Sequence, residues 1–167
     1  MEIKFKKINE NAVTPKKAHK SDAGFDLTAT SKEYDNDGNV VYGTGLAFEI
    51  PEGFVGLLFP RSSNSKRHLI LSNCVGILDS GYRGEVMFKF KTTCQTINPF
   101  KLAWTLLFRK KQMTSEVINV FTNGKDYNIG DRIGQMIIIP YPEIEFIEAE
   151  TLSESDRGEG GYGSTGK

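Results

Sequence analysis

The sequence predicts an all-β barrel or jelly roll with little helix, and three observations carry that prediction. Short runs rich in β-branched and aromatic residues recur roughly every ten residues, the spacing of a sandwich or barrel rather than of alternating strands and helices. Inside those runs apolar and polar side chains alternate, as they do along a strand with one buried face. Gly, Pro and Asn stand between the runs, where turns need them.

Taken in order, Glu2-Ile-Lys-Phe-Lys6 alternates apolar and basic side chains and is expected to open the fold as a strand with one buried face. Thr14 to Lys20 is a polar loop whose cationic run reads as a solvated face. In Ser21 to Ala29, Phe25, Leu27 and Ala29 share one face of a strand and Asp26 takes the other. Asp35-Asn-Asp-Gly38 is a turn, lacking the spaced ligands and closing Glu of a calcium loop. Val40 to Ile50 and Phe54 to Phe59 are strand material joined by Pro51-Glu-Gly53. Ser63 to His68 suits one helical turn, with His68 a structural, hydrogen-bonded residue.

Ser72 to Val86 sets Asp79 between two glycine-punctuated turns, near the tip of an expected hairpin, with Tyr82 and Arg83 close behind. Val86 to Phe90 alternates again. From Thr92 to Tyr127 the pattern is ambiguous: Phe100, Ala103, Trp104, Leu107 and Phe108 follow a helical period in residue types that also suit a strand. The plain expectation is a lid packed on the barrel by its aromatic face, and the sharper one a surface for a protein partner. Glu116 to Lys125 reads as a strand entering an Asn-Gly turn, and Gly130 to Pro140 as a turn followed by a buried strand.

Length and composition suit one compact domain, assigned to residues 1–150 with an insertion around 92–127, followed by a Gly-rich arm over 151–167. Lys+Arg and Asp+Glu both number 21, so nothing asks for bulk binding to nucleic acid or an anionic membrane, and no apolar run is long enough for a helix to cross a bilayer. Phosphate chemistry would therefore use local cations such as Arg61, Arg83, Arg132 and Arg157. Cys74 and Cys94 have no disulfide or metal spacing and are expected as reduced thiols of a cytoplasmic protein. With two histidines, His19 and His68, an all-protein zinc site is not expected, and any metal would be a hard cation such as Mg²⁺ shared with phosphates.

The arm, Asp156-Arg-Gly-Glu-Gly-Gly-Tyr-Gly-Ser-Thr-Gly-Lys167, has the composition of a floppy end and also the parts a triphosphate needs. Backbone N–H groups of glycines nest oxyanions, hydroxyls donate, a guanidinium grips a terminal phosphate and an aromatic stacks on a base. Gly161 to Lys167 matches the opening of a P-loop but lacks its flanking strand and helix, so an ATPase reading is set aside.

Five segments together resemble the ordered motif set of the trimeric dUTP pyrophosphatase (dUTPase) family. They are Ala23-Gly-Phe-Asp-Leu-Thr-Ala29, Pro60-Arg-Ser-Ser63, Asn73 to Gly84, Gly130-Asp-Arg-Ile-Gly-Gln135 and Arg157 to Gly166. The resemblance implies a homotrimer with shared active sites, each closed by an arm, that hydrolyses dUTP to dUMP and pyrophosphate by water attack on the α-phosphorus with Mg²⁺. Residue by residue, it implies that Asp79 activates the water and Asn73, with Gly76 in its hairpin, reads the uracil edge. It implies that Tyr82 packs under the deoxyribose where a 2′-hydroxyl would clash. Arg61, Ser62, Ser63 and Gln135 would hold phosphate oxygens, Arg157, Gly163, Ser164 and Thr165 the terminal phosphate, Tyr162 the base, and Asp26 the Mg²⁺ through water.

The chain departs from the family in three places. Tyr162 stands where Phe is usual, Gly134 where Ala is usual, and the Phe90–Gly130 segment is longer than in a minimal member. Two rivals remain. A dCTP deaminase on the same fold would use a Glu beyond the hairpin, for which Glu85 is the candidate. A nucleotide-sensing binding protein would use the Trp104 region for a partner.

Overall fold

The computed structural model describes residues 1–92 and 126–161. Among the described residues ten strands carry the fold: β1 Lys4–Lys7, β2 Phe25–Thr28, β3 Ser31–Tyr34, β4 Val40–Gly43, β5 Leu46–Glu49, β6 Phe54–Pro60, β7 Leu69–Leu71, β8 Gly76–Leu78, β9 Met87–Thr92 and β10 Arg132–Pro140. The other regular element among the described residues is a 3-10 turn, Ser62–Lys66. All strand pairs are antiparallel. They build a ribbon, β1-β5, and two four-stranded sheets, β2-β10-β6-β8 and β3-β4-β9-β7. The all-β class is as the sequence predicts, and the sheets are not closed into one continuous barrel among the described residues.

The core lies between the two larger sheets and obeys the alternation of their strands. In β9, Phe88 and Phe90 point inward while Met87 and Lys89 point out. In β7, Leu69 and Leu71 are buried and Ile70 is exposed. Tyr42, Phe90 and Tyr127 meet at centroid distances of 5.9–6.0 Å, and the Tyr42 hydroxyl donates to the Tyr127 carbonyl at 3.1 Å. Each such large apolar side chain contributes roughly 1.5–3 kcal/mol on burial.

Where Tyr127 enters, Asp126 is buried and accepts from the Tyr34 hydroxyl at 2.6 Å and Lys32 Nζ at 2.9 Å. Arg67 donates to the Asp126 carbonyl at 2.8 Å. Burial, then the neighbouring carboxylate, pushes the Tyr34 phenol above its ordinary range.

The turns form where the sequence places them. Asp35 Oδ1 accepts from the backbone N–H of Asp37 and Asn39, with Gly38 at φ +78°. Phe54 N–H closes the Pro51 turn on Gly53 at φ +78°.

Three expectations change. The opening strand buries little: Ile3 packs partly against the core, but β1 is exposed throughout, with Phe5 41% exposed and its ring 6.2 Å from that of Phe48, because β1 pairs in a two-stranded ribbon. Val40 to Ile50 splits into β4 and β5, which bend apart at Thr44-Gly45, Gly45 taking φ +66°, and join different sheets. The expected hairpin around Asp79 is instead a crossover, since β8 pairs with β6 and β9 pairs with β4 and β7. Its return limb bonds to the β4–β5 bend, with Val86 N–H donating to Leu46 and Thr44 N–H donating to Val86. The sequence between Thr93 and Lys125, including the aromatic segment around Trp104 and the expected strand at Glu116, lies outside the described residues.

Candidate active site

The first half of the site forms around a carboxylate. Asp26 lies in β2 at one edge of its sheet and is only 7% exposed. A buried carboxylate needs compensating partners, and Asp26 has three. Arg61 Nε reaches Oδ1 at 2.9 Å, Gln135 Nε2 reaches the same oxygen at 3.2 Å, and Arg132 Nη1 reaches Oδ2 at 2.8 Å. Two guanidinium groups on one carboxylate leave a net positive charge, the electrostatics of an anion site.

Local structure explains how these groups meet. Arg61 is held extended, at φ −77° and ψ 155°, where β6 passes into the 3-10 turn that carries Ser62 and Ser63. Arg132 and Gln135 are three apart and would face opposite ways on a regular strand. The β10–β2 register shifts between Arg132 and Gly134, so that Arg132 stands opposite Thr28 and Gln135 opposite Asp26. This bulge turns Ile133 and Gly134 inward together and leaves both polar side chains on the Asp26 side. The sequence names Arg132 as a local cation but does not place it beside Asp26, because that placement depends on a bulge defined by two strands at once.

The second half lies at the other edge of the sheet. Asp79 follows β8, exposed, with its carbonyl accepting from Tyr82 N–H at 3.1 Å. Asn73 is exposed at the start of a tight turn in which Val75 N–H donates to the Asn73 carbonyl and Cys74 takes φ +60°. Gly76 packs so closely on Leu58 that an added Cβ would lie 3.0 Å from Leu58 Cβ. Tyr82 is 44% exposed, and its hydroxyl donates to the Glu85 carbonyl at 3.0 Å.

The two halves do not meet within one chain. Asp26, Gln135 and Phe59 form one row across the sheet, and Ile138, Gly56 and Leu78 form another, three residues further along β6. Asp79, one residue beyond Leu78, is therefore about 13 Å along the strands and about 14 Å across three strand spacings from Asp26. Residues 141–161, which include the described part of the arm, are exposed almost throughout. Arg157 Nε donates to the Gly160 carbonyl at 2.8 Å, with Gly158 at φ +50°. Tyr162, Gly163, Ser164 and Thr165 lie outside the described residues.

Among the described residues no three His, Cys, Asp or Glu side chains gather as a metal cage. Asp26 offers about four acceptor positions, three of them taken by the donors above. What remains fits a single contact to the hydration shell of a cation held by phosphates, and does not fit direct coordination by several protein ligands.

An all-β domain with two guanidinium groups around a carboxylate at one sheet edge and an acid beside an aromatic at the other has the parts to hold a phosphorylated ligand. The comparisons with known proteins give the family. A family model described as dUTPase matches residues 10–102 and 111–166, and the chain belongs to the dUTPase family. Deoxyuridine 5′-triphosphate nucleotidohydrolase of Nautilia profundicola is 36% identical over 169 residues, covering 100% of both chains. The enzyme of the same name from Corynebacterium glutamicum is 35% identical, covering 99% of this chain and 95% of its own. Staphylococcus bacteriophage 80alpha dUTPase, solved with dUPNHPP, superposes with a TM-score of 0.72 at 28% identity, covering 99% of each chain.

Proposed function

We propose that this protein hydrolyses dUTP to dUMP and pyrophosphate, clearing dUTP from the nucleotide pool and supplying dUMP, and that it does so as a cytoplasmic homotrimer. The observation that carries the composite site is the separation of its halves on one chain. Arg61, Gln135 and Asp26 lie too far from Asp79 to serve one nucleotide without a neighbouring subunit.

In this reading Arg61, Arg132, Ser62, Ser63 and Gln135 bind the phosphate chain, and the preset guanidinium charge stabilises the anion that develops at phosphorus. Asp79, in water at the end of β8, orients the attacking water and takes its proton. A general base of this kind contributes roughly 10²–10⁴-fold. Asn73 and the backbone around Gly76 read the uracil edge, and Tyr82 packs under the sugar. Arg157, Gly163, Ser164, Thr165 and Tyr162 close over phosphate and base from the arm. Mg²⁺, held mainly by the triphosphate with Asp26 at its hydration shell, supplies charge neutralisation along the phosphates.

The deaminase alternative has little support, because the Glu85 carboxylate is committed to the Gly45 backbone N–H at 2.7 Å. The test is pyrophosphate release from dUTP with Mg²⁺, with dCTP, dTTP and UTP as controls. Turnover of dUTP alone is expected, and Asp79→Asn should bind dUTP while losing most turnover. Ammonia from dCTP, or full activity in Asp79→Asn, would defeat the assignment.

A further inference from the structure

Glu85 follows the catalytic loop and has no part in the chemistry above, yet the fold makes room for it twice. Its carboxylate accepts from Gly45 N–H at 2.7 Å. A Cβ on Gly43 would lie 2.6 Å from Glu85 Oε1, so the bend between β4 and β5 is open where the carboxylate enters. The next residue is tied to the same bend: Val86 N–H donates to Leu46 at 2.8 Å, and the Val86 carbonyl accepts from the buried Thr44 hydroxyl at 2.7 Å. The Glu85 carbonyl is thereby fixed from its own side chain and from its neighbour, and this carbonyl receives the Tyr82 hydroxyl at 3.0 Å. Gly84 completes the arrangement, since a Cβ there would fall 2.4 Å from that hydroxyl.

We infer that Glu85 is a positioning residue for Tyr82 and, through it, for the rejection of ribonucleotides. The inference rests on the reading of Tyr82 as the floor of the deoxyribose site. A ring excludes a 2′-hydroxyl by contact only if it cannot swing away. Exposed on one side, Tyr82 is held by its hydroxyl, whose anchor is a carbonyl held in turn by the Glu85 carboxylate. Losing a charge-assisted hydrogen bond to a backbone N–H frees this chain of contacts at its root.

The experiment compares kcat/KM for dUTP and UTP, with melting temperatures, in the wild type, Glu85→Ala, Glu85→Gln, Tyr82→Phe and the Glu85→Ala/Tyr82→Phe double variant. In Glu85→Ala the dUTP:UTP ratio should fall about tenfold, the scale of one hydrogen bond to a charged group. Glu85→Gln keeps an acceptor for Gly45 N–H and should stay within about threefold of the wild type. Tyr82→Phe should lower the ratio as well, and the double variant should fall no further than the larger single effect, as members of one chain of contacts do.

A purely structural Glu85 would lower the melting temperature and leave the ratio alone, and that result overturns the inference. So does an additive double variant. If Glu85→Ala does not fold, an unchanged ratio in Tyr82→Phe overturns it in its place. A Tyr82→Ala variant separates the two layers: an unchanged ratio there removes the sugar-site role of Tyr82 itself, whereas a collapsed ratio there with an intact one in Glu85→Ala removes only the role of Glu85.

Discussion

At the scale of single residues, Gly134 shows how a family difference is absorbed. An added Cβ would lie 2.2 Å from Phe88 Cε1 and 2.3 Å from Cζ, inside any real contact, and Phe88 is itself buried. The ring occupies the space that an alanine methyl would take. Gly134→Ala should therefore destabilise the protein by about 1–3 kcal/mol through overpacking. Thermal denaturation reads this as a clear drop in Tm, partly restored by Phe88→Leu, and an unchanged Tm would refute the packing argument. The residues most legible in the sequence were those whose chemistry is local: Asp79 beside its glycines, Arg61 before two serines, Gln135 after Gly134. Arg132 was legible as a cation and illegible as a partner of Asp26, because no count along β10 alone places it there.

At the scale of elements, turns were read well and pairings poorly. Asp35 to Gly38 forms the expected turn because the bonds of an Asp side chain to its own backbone are encoded within a few residues. The Asp35 carboxylate also takes the Asn39 side-chain amide and Lys89 Nζ at 2.9 Å. The Asn39 bonds first, then the Lys89 bond, hold its pKa below the usual carboxylate range, and Lys89 is pushed up in turn. A folded-state pKa below the unfolded one gives stability that is complete above the ordinary Asp value of about 3.9 and disappears as pH falls toward the depressed one. The Tm advantage of the wild type over Asp35→Asn, measured at pH 6, should therefore shrink steadily below about pH 4. A gap independent of pH would contradict it. By contrast, the divergence of β8 and β9 into different sheets could not be read from Ser72 to Val86, since their partners β6, β4 and β7 all lie outside that stretch.

At the scale of the whole molecule, the separated halves and the exposed arm predict complementation. Asp79→Asn subunits carry a sound arm, and subunits truncated after Ser155 carry a sound Asp79. Each alone should be nearly inactive, with the truncated protein keeping its Tm, because residues 156–159, the first of those removed, are exposed and bury little on folding. Refolded together, the two should regain a substantial share of dUTP turnover, and light scattering should report three chains. No recovery on mixing, or a fully active monomer, would exclude a shared site. The all-β class and the segments of the proposed site were legible because alternation and turn residues survive in one sequence. The distribution of those segments over different edges of a sheet is a property of the folded chain, and no single stretch announces it.

The bulge in β10 ties two fates together. Ile133 is wholly buried, and it is the turning of Ile133 into the core that leaves Arg132 on the side of Asp26. Were the ladder straightened with both residues kept, Ile133 would face water and the arginine would face oil. The preference of one isoleucine for the interior thus fixes the guanidinium beside Asp26: a substitution that spoils the burial at position 133 would displace the charge at position 132 as well.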